Sequence, residues 1–162
     1  MNGSTENRTS GASEQDGGRE VVLTWTTSQR MLPLVQRIVG DVIKNRQSLA
    51  ALLPEQQRLD RQRRLLAWPE RARRYQLHED IATLEHDLQD ALAELEVLGV
   101  ALLDADRGYV GFPTLVNNKR AFFSWRLGED ELKSWHFAGE SARRPIPPSW
   151  TTSLDGRRTG SG

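Results

Sequence analysis

The chain has 162 residues, which suits one domain with its own core. Its 22 basic and 22 acidic residues cancel, so net charge supplies no general attraction to nucleic acid or to a membrane surface. There is no cysteine, which excludes disulfides, thiolate metal sites and a cysteine nucleophile.

Residues 1–19 are rich in Gly, Ser, Asn, Glu and Gln and hold no large apolar side chain beyond Met1. Such a segment buries too little surface to offset its ordering entropy, and it predicts a disordered tail. It has no apolar core of a signal peptide, so Asn7-Arg8-Thr9 is a glycosylation sequon with no expected use. The far end, "TTSLDGRRTGSG", predicts a second tail over 149–162, which leaves 20–148 as a single domain. No run of about 18 apolar residues exists to cross a bilayer. The default reading is a small soluble, cytoplasmic protein with no membrane partner.

"VVLTW", 21–25, is a β-branched run that predicts a strand, and "TTS" at 26–28 supplies helix caps. A long helical segment follows. Met31, Val35, Ile38, Val42, Leu49, Leu52, Leu59 and Leu66 fit a heptad seam, with Asn45, Gln56 and Arg63 as its polar members. Pro33 and Pro54 each remove a backbone donor, which predicts a kink or a break near both. "AWPE", 67–70, marks the punctuation, and Pro69 suits the first position of a new helix. There Leu77, Ile81, Leu84, Leu88, Ala91, Leu95 and Leu98 alternate four and three apart, and Gly99 is a natural stop. Two long helices joined by a short break form an antiparallel hairpin, a coiled coil over about 27–98.

After Gly99 the period shortens. "VALLDADRGYVGFP" reads as strand, turn, strand, then Pro113. "NNK", 117–119, is a second turn, and "RAFFSWR" and "LKSWHF" are strands around "LGEDE". The expected class is therefore α+β: the helical hairpin packed against an antiparallel β-meander of three or four strands, about 100–138.

Three groups could carry chemistry. The first is the hairpin tip, where Arg58, Arg61, Arg63, Arg64, Arg71, Arg73 and Arg74 face only Asp60 and Glu70. Arginines opening a helix oppose its dipole, so Arg63, Arg64, Arg71, Arg73 and Arg74 are the candidates for binding an anion or RNA. The bland reading is a solvated charged loop. The second is the stretch of Glu79, Asp80, Glu85, Asp87, Asp90, Glu94 and Glu96, which contains no Lys or Arg. Asp80, Asp87 and Glu94 are seven apart, as are Arg30, Arg37 and Lys44, so the two stripes pair either within the hairpin or with a second copy of it. His86 and Asp90 share a face there, but no third ligand accompanies them, and no metal or cofactor is expected. The third group is Asp104, Asp106, Arg126, Glu129 and His136, with Arg143 and Arg144 behind them. Converging on the sheet, they could do acid–base work. The bland reading makes Asp104, Asp106 and Glu129 turn formers and His136 a structural histidine. Strand register decides whether Arg126 and His136 share a face.

Three segments carry a resemblance. "WTTSQRMLPLVQRI", 25–38, resembles F-T-L-E-E-A-N-x-L-L-P-x-L-x-x-I. "GVALLDADRGYVGFP", 99–113, is similar to G-V-x-L-K-D-x-D-x-G-L-V-D-F-P. "FSWRLGEDELKSWHF", 123–137, is similar to L-C-W-R-L-G-E-x-x-I-x-x-W-H. Together they resemble the bacterial DUF2203 family over about 21–148. Leu103 stands where that pattern often has Lys, Gly111 where it has Asp and Ser124 where it has Cys, which removes charge from the sheet. The resemblance implies a small soluble protein and brings no reaction with it.

The residues thus favour an interaction module that self-associates through its helices, with a homo-oligomer or another protein as partner. Anion or RNA binding at the tip and a small enzyme on the sheet are the alternatives.

Overall fold

The computed structural model describes residues 21–151. The expected tail 1–19, the sequon and residues 152–162 lie outside the described residues. Helix α1 spans Trp25–Arg61 and α2 spans Trp68–Leu98, and they run antiparallel. Five strands follow: β1 Ala101–Asp104, β2 Tyr109–Val116, β3 Lys119–Arg126, β4 Ser134–Phe137 and β5 Arg144–Pro145. They form one antiparallel sheet in chain order. The fold is α+β, a helical hairpin against a meander, with β5 as a short fifth strand. Among the described residues, no helix is long and apolar enough to cross a membrane.

The strand expected over 21–25 needs correction, and of the kink or break expected at Pro33 and Pro54 the break does not occur. Residues 21–24 are not a strand, and Trp25 already belongs to α1. The Thr24 side chain accepts the Thr27 N–H at 3.1 Å, which caps the helix earlier than expected. The Leu23 N–H donates to the Pro113 carbonyl at 2.7 Å, and Val21 and Val22 line a hollow beside Pro113 and Phe122 of the sheet. Pro33 and Pro54 do not break α1, which is one helix of 37 residues. Both prolines are exposed, so the carbonyls that lose a donor, at Gln29 and Ala50, lie on a side that water can reach.

Pro113 sits inside β2 rather than after it. In an antiparallel strand, a residue's N–H and C=O point to the same neighbour. The Pro113 carbonyl faces Leu23, on the edge beyond the end of β1, so its missing N–H costs no ladder bond to β3. The turn to β3 uses Asn117 and Asn118, both in the left-handed region at φ 55° and 64°, which asparagine tolerates.

The inner sheet face supplies Val110, Phe112, Phe123, Trp125 and Trp135 to the main core. From α1 come Leu32, Val35, Ile38, Val39 and Val42, and from α2 Ala91 and Leu95. Trp150 also packs here, 5.1 Å from Trp135 between ring centres, so ordered packing reaches past residue 148. A second, smaller cluster of Leu59, Leu66 and Leu77 lies near the tip.

Candidate functional site

The β3–β4 register pairs Phe122 with His136 and Ser124 with Ser134, and β2–β3 pairs Tyr109 with Arg126. Side chains alternate along each strand. Arg126, Ser124 and Phe122 therefore share the outer face with Tyr109 and His136, and Arg126 and His136 do stand on one face.

Arg143, in the segment leading to β5, reaches across this face. Its guanidinium donates to Glu129 Oε2 at 3.0 Å and Oε1 at 2.8 Å. It also donates to the Ser124 hydroxyl at 3.2 Å and the Ser124 carbonyl at 3.1 Å. Glu129 Oε1 accepts the Arg126 backbone N–H at 2.8 Å as well, which closes the "LGEDE" turn. The guanidiniums of Arg126 and Arg143 lie 5.5 and 5.4 Å from the Tyr109 ring centre. The Tyr109 hydroxyl is 3.5 Å from His136 Nδ1.

These contacts set the charge states. Burial opposes the Glu129 carboxylate, but hydrogen bonds from Arg143 and the Arg126 backbone outweigh it and hold the carboxyl below its usual range. Glu129 in turn holds the Arg143 guanidinium firmly protonated. His136 is only 4 % exposed. Burial and then the Arg143 charge push its pKa down, with Glu140 pulling weakly the other way, so the neutral imidazole is favoured.

Asp104 and Asp106 take other work. Asp104 Oδ1 accepts the backbone N–H groups of Asp106 at 3.0 Å and Arg107 at 3.3 Å, which builds the β1–β2 turn. Asp106 pairs with Arg46 of α1 at 2.6 Å and ties that turn to the helix. The outer-face cluster is thus Tyr109, Ser124, Arg126, Glu129, His136 and Arg143. Sequence reasoning passed over Tyr109 and the Ser124 hydroxyl as members. The alternation of "FFSWR" carried Ser124 onto the Arg126 face, and only the register could add Tyr109.

Gly111 faces the same side. A Cβ there would lie 2.7 Å from the Phe122 ring, so that ring fills the place where the related pattern carries a carboxylate.

At the hairpin tip the five candidate arginines divide. Arg73 makes two hydrogen bonds to Glu55, at 3.1 and 2.9 Å, and Arg74 meets Asp60 at 2.6 Å. The Arg73 bonds hold Glu55 below its usual pKa, and Arg74 with His78 does the same to Asp60. These pairs join α1 to α2. Arg63, Arg64 and Arg71 make no ion pair among the described residues, and Arg71 sits 5.9 Å from the centre of the Trp68 ring. Leu65, Trp68 and Tyr75 are 86 %, 69 % and 65 % exposed beside them.

The charged stripes do not close within the hairpin. Among the described residues, Arg30, Arg37 and Lys44 form no ion pair, and neither do Asp80, Asp87 and Glu94. His86 and Asp90 pair with each other at 3.3 Å. The heptad seam of α2 is used inside the molecule: Leu77, Ile81, Ala91 and Leu95 are buried, while Leu84 and Leu88 are half-buried.

Residues 15–146 match the model of a family described as "Uncharacterized conserved protein (DUF2203)". No curated protein and no solved structure matches the chain.

Proposed function

The chain belongs to the DUF2203 family, and we propose that this member works as a protein–protein interaction module that self-associates through its helical hairpin. One observation carries the reading. The apolar seam is spent inside the hairpin, yet among the described residues the exposed Arg30, Arg37 and Lys44 of α1 and the exposed Asp87 and Glu94 of α2 make no ion pair. Exposed Trp68 and Tyr75, beside arginines that make no ion pair among the described residues, are also the residue types enriched at interface cores.

Anion binding at the tip draws less support, because Arg73 and Arg74 already hold Glu55 and Asp60. Catalysis on the sheet draws less still. Arg143 is matched by Glu129, Asp104 builds the β1–β2 turn, and Asp106 is paired with Arg46.

Light scattering on the eluting protein over a range of concentrations tests the proposal. A species of twice the chain mass that dissociates on dilution is expected. A monomer at every concentration overturns it.

A further inference from the structure

The outer face of α2, turned away from α1, has an order of its own. Trp68, Ala72, Tyr75, Glu79, Ala82, His86, Ala93 and Val97 recur at helical spacing on the side opposite the buried Leu77, Ile81 and Leu95, and all eight are exposed. Three of them are large apolar or aromatic groups: Trp68, Tyr75 and Val97, the last 85 % exposed. The helix is also polarised in charge. Its first turns carry Arg71, Arg73 and Arg74 beside Glu70, with Arg73 and Arg74 held by Glu55 and Asp60 and Arg71 left to face outward partners, while Glu85, Asp87, Asp90, Glu94 and Glu96 follow His78 without one Lys or Arg. Beside its C-terminal end lies a concavity lined by Leu34, Ala93, Val97 and Leu98, with Asp90 and Glu94 also on its wall.

We propose that two copies of the chain pair through this face, α2 against α2, antiparallel about a two-fold axis near Ala82 and Thr83. The inference rests on the self-association reading and deepens it to one geometry. Charge selects the occupant and its direction. A parallel pair would set the two acidic halves against each other. The antiparallel pair sets the basic end of each α2 beside the acidic end of the other, with Arg71 level with Glu94 and Glu96. The same alignment brings Trp68 level with Ala93 and Val97, at the concavity, and Glu79 level with His86. A two-fold interface must complement itself in this way, residue for residue. Helix α2 has 31 residues, or roughly 46 Å at 1.5 Å per residue, so the overlap is long enough for a specific contact.

The absence of native cysteine makes the test direct. Chains carrying Trp68→Cys and chains carrying Val97→Cys are mixed under mild oxidation. The proposal expects a disulfide between the two kinds of chain, and little linkage of Trp68→Cys chains to one another. Trp68→Cys chains linking preferentially to themselves would mean a parallel pair and overturn the proposal. Separately, Tyr75→Ala, nearer the axis and not altered in the cysteine chains, should raise the dimer dissociation constant by about thirty-fold or more, as expected for an aromatic anchor present twice, with the helical circular dichroism unchanged. A dimer that ignores Tyr75→Ala and forms no link between positions 68 and 97 overturns this geometry but leaves self-association standing. A native chain that stays monomeric overturns both.

Discussion

Near the sheet, α1 brings Leu32, Val35, Val39 and Val42 into one cluster with Phe112, Phe123, Trp125 and Trp135. Near the tip, among the described residues, the small cluster is Leu59 of α1, Leu77 of α2 and Leu66 of their connection, with Leu52 beside them, and the helices are joined on the outside by Arg73–Glu55 and Arg74–Asp60. The first end buries side chains between helices and sheet. The second has no third layer, and exposed ion pairs add little to a hairpin already formed. A helix pair that is anchored at one end and thinly held at the other keeps its fold while leaving the far end free to meet something else.

The largest expected effect lies at the anchored end. Phe112 is fully buried between sheet and helices, and Phe112→Ala should cost about 3–5 kcal/mol in chemical denaturation. That is a large share of a typical domain's total stability, so the whole molecule should unfold earlier in one transition. Leu77→Ala removes a residue just as buried, but from the small cluster. Its cost should be near the lower end of the range, about 2 kcal/mol, because a tip with few neighbours relaxes more easily. Hydrogen exchange separates the two. Leu77→Ala should speed exchange in 52–80 and leave β2 and β3 protected, since local opening follows local packing. Equal loss of protection at both ends would erase the distinction.

The distinction between the ends was partly legible in the residues. Alternating spacing of four and three from Leu77 to Leu98 gave the second helix, and the change of period after Gly99 gave the sheet. The start of α1 was misread because "VVLTW" has strand composition, while the deciding event is a hydroxyl capping contact from Thr24 to the Thr27 N–H. Pro33 and Pro54 predicted a kink or a break, and the helix does not break at either. Their cost depends on which side of the helix they face, and a broad apolar stripe does not fix that for every position. On the sheet, Arg126, Glu129 and His136 were named from the sequence, and register then put Arg126 and His136 on one face. Asp104 and Asp106 were named with them, but the β1–β2 turn engages both, which agrees with their bland reading. The tip arginines show the same limit: pairing of Arg73 with Glu55 needs the hairpin's axial alignment, which no local pattern contains.

The smallest expected effect sharpens the contrast from the sheet side. His136 is buried under Tyr109 and Phe122 with its pKa pushed below the ordinary histidine value. The unfolded chain then takes up this proton at a higher pH than the folded one, so the unfolded state binds more protons as the pH falls. The stability tied to neutral His136 is complete above about pH 6.5, the unfolded value, and is lost as the pH drops through the folded value. Thermal melts from about pH 7 to about pH 5 should therefore show a falling midpoint, as the unfolded state gains this proton. His136→Phe keeps an aromatic ring against Phe122 and removes the titration, so its midpoint should fall less over the same range. Glu129 acts in a lower window, because its depressed pKa preserves its contribution until the pH falls below the ordinary carboxyl value. A His136→Phe midpoint that falls as steeply as the native one would place the acid sensitivity in another group and remove this pH dependence from the outer face of the sheet.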